Sequence, residues 1–335
     1  MDVQRTYGIP TLEFRPNNPA PQGPIEEDLL LESRNPGMTA LLDMVERAAA
    51  GDSTILLTGE SGTGKDLLAR QIHRWSPRRR GPFIVINCTT LAEHLLEDEL
   101  FGHVRGSFTG AINDKPGRLE AGNGGTVLFD EIAELPTSLQ IKLLRFVQDR
   151  CLERIGSNRT LRVDVRVIVA SNRNLGAEIA AGRFREDLYY RLNVITFTLP
   201  PLRERTQDIL PLADWMLKRM SLATARPDFR LSPDAAAALI SYRWPGNLRE
   251  LHNALKRAAD LARTETITLD DLPDSVIHRT AAMSAPAPRG TRLKDFEREQ
   301  ILRALADCPT LGEAAATLGI NVTTLWRKRR LYGIA

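Results

Sequence analysis

The stretch GESGTGK, residues 59–65, decides the fold. It follows the apolar run Ile55-Leu56-Leu57 and precedes residues 66–72, where Leu67, Leu68 and Ile72 are spaced for one buried helical face. Strand, glycine loop and helix in that order make a phosphate cradle. Gly59, Gly62 and Gly64 let the backbone curl until successive N–H groups point at phosphate oxygens, with Glu60, Ser61 and Thr63 completing the loop. The helix N-terminus adds its positive dipole end, and Lys65 supplies a mobile cation for the β- and γ-phosphates. The expected ligand is a nucleoside triphosphate. Asp66 stands where the general pattern has a Ser or Thr hydroxyl for magnesium, so metal ligation leans on another carboxylate and on water.

Working outward, FIVIN at 83–87 is a continuous apolar run of the kind a strand buried on both faces needs. Further strands are expected at 126–129, 163–170 and 194–199, separated by helical patterns such as 138–148 and preceded by a helix over 38–48. Strands alternating with helices predict an α/β fold with a parallel, doubly wound sheet and the phosphate loop at a strand's carboxyl end. After Pro200-Pro201 the strand signal stops, and 209–223, 232–241 and 247–263 read as three helices. The expected organisation is a flexible segment over 1–28, an α/β core over 29–200, a helical domain over 201–279, a linker over 280–290 and a compact helical unit over 291–335.

At 335 residues the chain has room for two or three domains, each with its own core. No apolar stretch approaches the length that spans a bilayer, and residues 1–24 lack the apolar centre of a signal peptide, so a cytoplasmic location without membrane partners is expected. Cys88, Cys151 and Cys308 are far apart and without CxxC spacing, which points to reduced structural thiols and not to zinc or disulfides. The net charge of +3 is concentrated at the end of the chain. Residues 290–335 hold eight Lys or Arg against five Asp or Glu.

The run Val127-Leu128-Phe129-Asp130-Glu131 is an apolar strand ending in two carboxylates. Beside a phosphate loop, Asp130 can hold hydrated magnesium and Glu131 can orient and activate the attacking water. Asn87 and Asn172 each end a buried strand of the same sheet and would emerge beside the same site. Arg185 and Arg191 lie six positions apart, and a guanidinium can neutralise charge developing on the γ-phosphate; surface ion pairs are the alternative. The stretch FGHVRGSFTGA, 101–111, has no strand or helix period and sets Phe108 among Gly106, Ser107, Thr109, Gly110 and Ala111. It reads as a loop with an aromatic tip, turned either into its own core or toward a partner. In the C-terminal unit, a stripe at Ile301, Leu302 and Leu305 leads to 311–318, a turn at Gly319-Ile320 and a last helix that Asn321 can cap. That helix is expected to bury Val322 and Leu325 while Thr323, Thr324, Arg327 and Lys328, with Arg329 and Arg330 close by, face double-stranded DNA in a helix-turn-helix outline.

These motifs in this order resemble the bacterial enhancer-binding proteins, the sigma-54-dependent transcriptional activators of the NtrC family, from about Leu29 to the end. GESGTGKD resembles the family's Walker A, in which an acidic residue commonly follows the lysine, and GGTVLFDEI, 124–132, its Walker B. FGHVRGSFTGA is similar to the GAFTGA loop that contacts the sigma factor; Ser107 stands where alanine is usual, and Phe108 and Thr109, the implied contact residues, are in place. By the same resemblance Asn87 is the switch residue that holds the Walker B glutamate, Asn172 is sensor I, Arg185 and Arg191 are trans-acting arginine fingers, and Arg249 in WPGNLREL is sensor II. AATLGINVTTLWRKRRLYGI resembles the family's Fis-type DNA-binding domain.

The resemblance implies an AAA+ P-loop core with a small helical lid, using ATP and Mg²⁺, that binds upstream enhancer DNA and assembles from dimers into a hexameric ring. Hydrolysis would remodel the closed complex of sigma-54 RNA polymerase. Many members begin with a receiver or ligand-sensing domain of roughly a hundred residues. Only a proline-rich segment precedes the core here, which implies either an activator without a receiver or a truncated chain. Two other readings are a DNA-binding regulator whose AAA+ fold is not coupled to polymerase, and a generic remodelling ATPase, the latter disfavoured by the helix-turn-helix.

Overall fold

The computed structural model describes residues 33–89, 92–224 and 228–277 and, of 301–334, all but 303, 306, 307, 309 and 333. The chain divides into two compact units, Met1–Ile277 and His278–Ala335. The expected flexible segment at 1–28 and linker at 280–290 lie outside the described residues.

In the first unit, α1 (Pro36–Ala49) begins where Asn35 Oδ1 accepts from Met38 N at 3.0 Å and Pro36 supplies a preset φ. It buries Met38, Leu41, Leu42, Val45 and Ala49, the single face that a 3.6-residue period brings together. Five strands follow in sequence: β1 (Ile55–Thr58), β2 (Phe83–Asn87), β3 (Thr126–Asp130), β4 (Arg166–Ser171) and β5 (Ile195–Thr198). All pair in parallel, in the spatial order β2-β3-β4-β1-β5. Strand alternation sorts the core into two layers. Ile55, Leu57, Ile168 and Ala170 pack with α1 and α2 (Lys65–Trp75), whereas Leu56, Val127, Phe129, Val167 and Val169 pack with α3 (Glu93–Phe101) and α4 (Thr137–Asp149).

One strand starts later than its apolar run suggests. Val163 and Val165 are buried, yet Val163 N donates to Arg150 O at 2.8 Å and Asp164 N to Asn123 Oδ1 at 2.8 Å. Residues 163–165 therefore lead in from the small hairpin of Cys151–Glu153 and Thr160–Arg162, and the ladder of β4 begins at Arg166.

At the amino ends of the strands, Arg78 bridges two carboxylates, with Nε 2.8 Å from Asp52 Oδ1 and Nη2 2.7 Å from Asp164 Oδ1. Hydrogen bonds to those two aspartates hold its guanidinium firmly protonated. Arg166, wholly buried, donates from Nη1 to Ala49 O at 2.6 Å and from Nη2 to Ala48 O at 2.8 Å, closing the carboxyl end of α1.

After α5 (Glu186–Leu192) and β5 come the helices α6 (Ile209–Thr224), α7 (Pro233–Ser241) and α8 (Asn247–Leu261), which share the hydrophobic layer of α1 and α2. Asp208, buried just before α6, accepts from Ser33 Oγ at 2.6 Å, Arg34 N at 2.6 Å and Asn35 N at 3.2 Å. In the second unit, α9 (Leu311–Thr317) and α10 (Val322–Tyr332) pack around Ile301, Ala304, Ala314, Ala315 and Leu325. Among the described residues no helix is long and apolar enough to cross a membrane.

Candidate functional site

The loop of residues 59–64 leaves the carboxyl end of β1 and enters α2. Gly59, Gly62 and Gly64 have φ of +147°, +77° and +97°, the left-handed region that glycine adopts without steric cost. Gly62 has a second constraint, since a Cβ there would lie 2.4 Å from Gly246 O. No side chain caps the start of α2, so its first amides and dipole end are directed at the loop. Lys65 is buried and donates from Nζ to Gly59 O at 2.9 Å and Glu60 O at 3.0 Å. Burial lowers its pKa, against the pull of Glu131, Asp130 and Asp66.

Asp130 is the last residue of β3 and Glu131 follows it, and Asn87 at the end of β2 is the register partner of Asp130. Glu131 has φ of +54°, and this sharp turn brings its Oε2 to accept from Asn172 N at 3.2 Å, just past the end of β4. Burial pushes both carboxyls above their usual range; Asp66 adds to the rise at Asp130, while the Asn172 amide and Lys65 oppose it at Glu131. Four strand ends thus gather Lys65, Asp130, Glu131, Asn87 and Asn172. Asn87 Oδ1 accepts from Thr89 N at 2.9 Å and Thr89 Oγ1 at 2.6 Å, and for Asn172 it is the backbone amide, not the side chain, that reaches Glu131.

The other residues read from the motifs are placed as follows. The Glu60 carboxylate turns to Arg203, at 2.7 and 2.8 Å, which lowers its pKa and makes it a brace of the loop. Arg249 Nη1 donates to Ser61 Oγ at 2.9 Å, so the helical layer reaches the loop. Asp66 is exposed on the first turn of α2. Arg191 is exposed, and Arg185 is half-buried and paired within its own chain to Asp187 at 2.6 Å. Among the described residues no group of three or more His, Cys, Asp or Glu could enclose a metal. Asp130 with Asp66 nearby offers the hard oxygen donors that suit magnesium held partly through water.

The glycine-rich loop projects from a short antiparallel pair, Gly102–His103 with Lys115–Pro116. Phe108 is 47% exposed, resting edge-on against His103 at 4.9 Å between ring centroids, and Thr109 is exposed beside it. Gly106 and Gly110 have φ of +80° and +107° with open space where a Cβ would be, so they serve the turn and not a close contact. Ala111 is buried and its N–H donates to Phe108 O at 3.1 Å. Ser107 abuts Gly156 of the neighbouring hairpin loop, and its hydroxyl is buried without a hydrogen-bond partner.

In the second unit Asn321 Oδ1 accepts from Thr324 N at 2.7 Å, capping α10 as expected. Leu325 is fully buried, but Val322 is 48% exposed, contrary to the expected pairing of the two. The two lie about 60° apart on one face of the helix, but Val322 is its first residue, at the end of α10 that the small core around Leu325 does not cover. Thr323 and Arg327 are exposed, Thr324, Lys328 and Arg329 are half-buried, and Arg330 is exposed with its guanidinium 5.8 Å from the Trp326 ring.

Sequence reading missed Arg203, Arg205 and Asn247. Arg205 and Asn247 are buried and donate to loop carbonyls. The signal for Asn247 was its place after Pro245-Gly246, where an asparagine is a candidate for positive φ; its value is +52°. Arg205 carried no signal, because only the tertiary fold buries it.

The sheet order, the phosphate loop with two carboxylates on a nearby strand and the helical layer over it define an AAA+ ATPase-type module. Residues 31–198 match the Sigma-54 interaction domain, 203–288 the AAA+ ATPase lid domain and 292–332 the Bacterial regulatory protein, Fis family. The alginate biosynthesis transcriptional regulatory protein AlgB of Pseudomonas aeruginosa is 48% identical over 307 residues, covering 91% of this chain and 68% of that protein. The response regulator protein PilR of the same organism is 41% identical over 341 residues, covering 100% of this chain and 76% of that one. The crystal structure of NtrX from Brucella abortus in complex with ATP superposes with a TM-score of 0.68 at 34% identity, covering 90% of this chain and 69% of that chain. The chain belongs to the family of sigma-54-dependent transcriptional activators with a helix-turn-helix DNA-binding domain.

Proposed function

We propose that this protein hydrolyses ATP to remodel the closed complex of sigma-54 RNA polymerase, bound to upstream DNA through residues 291–335 and assembled as a ring. The observation that carries the reading is the gathering of Lys65, Asp130 and Glu131 in one electrostatic field at the strand ends beside the loop. Loop amides of residues 59–66 and Lys65 bind the phosphates. Glu131, held by the Asn172 amide, takes the proton of the attacking water, and its raised pKa suits that task. Asn87 and Asn172 report the state of the phosphates to the sheet, and Arg249 reports it to the lid. Asp130 would hold magnesium through water, and that ion would neutralise phosphate charge.

Arg185 and Arg191 serve the site of the adjoining subunit in a hexamer built from dimers, which makes turnover depend on assembly. Residues 106–111 form the output, with Phe108 and Thr109 touching the sigma factor. Thr323, Thr324, Arg327, Lys328 and Arg329 provide DNA contacts, and the exposure of Arg330 adds it to the phosphate-binding set.

The test is open-complex formation on a sigma-54 promoter by the purified chain with ATP and magnesium. Thr109→Ala should abolish activation while hydrolysis continues. Unchanged activation by that variant would favour a regulator not coupled to polymerase.

A further inference from the structure

Three consecutive carbonyls of the phosphate loop are gripped from the helical side. Ser61 O accepts from Asn247 Nδ2 at 3.0 Å, Gly62 O from Leu248 N at 2.9 Å and Thr63 O from Arg205 Nη2 at 3.0 Å. In a planar trans peptide the C=O and the following N–H point in opposite directions. Holding these carbonyls outward therefore fixes where the amides of Gly62 and Gly64 point, while the Thr63 amide turns within the loop to Glu60 O at 3.4 Å.

Asn247 makes more of these connections than either neighbour. It is fully buried, and besides Ser61 O its Nδ2 approaches Glu60 Oε2 at 3.3 Å. Its Oδ1 accepts from Leu202 N at 2.8 Å, where the chain passes from the sheet to the helical layer. One side-chain amide thus joins the loop, the crossing segment and the first turn of α8. The backbone around it is strained, with φ of +50° at Trp244 and +52° at Asn247. It is held there by Trp244 Nε1 donating to Leu239 O at 2.8 Å, Gly246 N to Glu250 Oε2 at 2.8 Å and Asn247 N to Trp244 O at 2.8 Å. The contact of Gly62 with Gly246 O removes the remaining play between turn and loop.

We propose that Asn247 is a positioning residue for the nucleotide reaction: by holding Ser61 O while anchored to Leu202 N, it registers the lid on the phosphate loop and presets the loop's amide donors. This rests on the nucleotide reading of the loop. Asn247→Asp separates the two halves of the role, because aspartate keeps the acceptor for Leu202 N and tolerates positive φ but loses both donors. Asn247→Gly keeps only the backbone conformation.

In the full chain, both variants should raise the KM for ATP about tenfold with kcat within about threefold, the pattern of a contact made equally in ground and transition states. Binding of a fluorescent ATP analogue should weaken in parallel. A merely structural asparagine would lower the folded fraction, and so the apparent kcat, while leaving KM unmoved. An Asn247→Asp variant with KM within twofold of the unaltered chain overturns the proposal, even if Asn247→Gly is impaired, since the acceptor alone would then suffice. If the aspartate variant does not fold, Asn247→Gly decides: an unchanged KM overturns the proposal, and a tenfold rise with retained kcat supports it. Failure of the unaltered chain to bind or hydrolyse ATP would instead sink the nucleotide reading itself.

Discussion

The two ends of one sheet bury charge alike but partner it differently. At the amino ends Arg78 is saturated by Asp52 and Asp164, and Arg166 spends both terminal nitrogens on the last carbonyls of α1. At the carboxyl ends burial pushes Asp130, Glu131 and Lys65 toward their neutral forms. The first arrangement holds the fold together. The second leaves charges that a polyanion and its metal would complete, which is how a site stores the means to bind at some expense of stability.

The largest effect that could break this contrast is at Glu131. Glu131→Ala should cut ATP turnover by about 10²- to 10⁴-fold, the usual contribution of a general base, with nucleotide binding retained; a phosphate-release assay beside a binding titration reads both. The mirror substitution is at the other end. Arg166→Met should cost about 1–3 kcal/mol of stability by removing the guanidinium donors to Ala49 O and Ala48 O, of which Ala48 O keeps its backbone bond from Gly51 N, measured by denaturant unfolding, while the KM for ATP stays put. A catalytic defect there, or none at Glu131, would reverse the assignment of the two ends.

Acidity sharpens the same comparison. The Glu131 pKa is raised in the fold, so its stabilising contribution is complete below the unfolded value and lost as pH rises through the folded one. Glu131→Gln should therefore melt higher than the unaltered chain at neutral pH, with the gap closing in acid. The acid limb of the turnover profile should lie above the ordinary glutamate range and disappear with that substitution. The smallest expected effect is at Ser107. Its hydroxyl is buried without a partner, so Ser107→Ala should leave the melting temperature equal or raise it, by at most roughly 1 kcal/mol of stability.

Most of the sheet was legible because five apolar runs and one glycine loop encode it locally. The loop, Asp130 and Glu131 were legible for the same reason: strand ends concentrate chemistry at predictable offsets. What stayed hidden depends on long-range contact. Glu60 looks like a loop residue, and only the approach of Arg203 from far along the chain shows that it braces the loop. The helical period does place Leu325 inward, but a small core leaves Val322 outside. Sequence spacing leaves Arg185 and Arg191 open between ion pairing and a phosphate partner, and within the chain Arg185 turns to Asp187.

Asp208 has a mechanical consequence. Its carboxylate moors Ser33, Arg34 and Asn35, and it is also the negative charge that favours protonation of buried Arg205, whose Nη2 holds Thr63 O. Residues 33–35 and the phosphate loop are thus held from neighbouring points, the first by the Asp208 carboxylate and the second by the guanidinium whose charge that carboxylate favours.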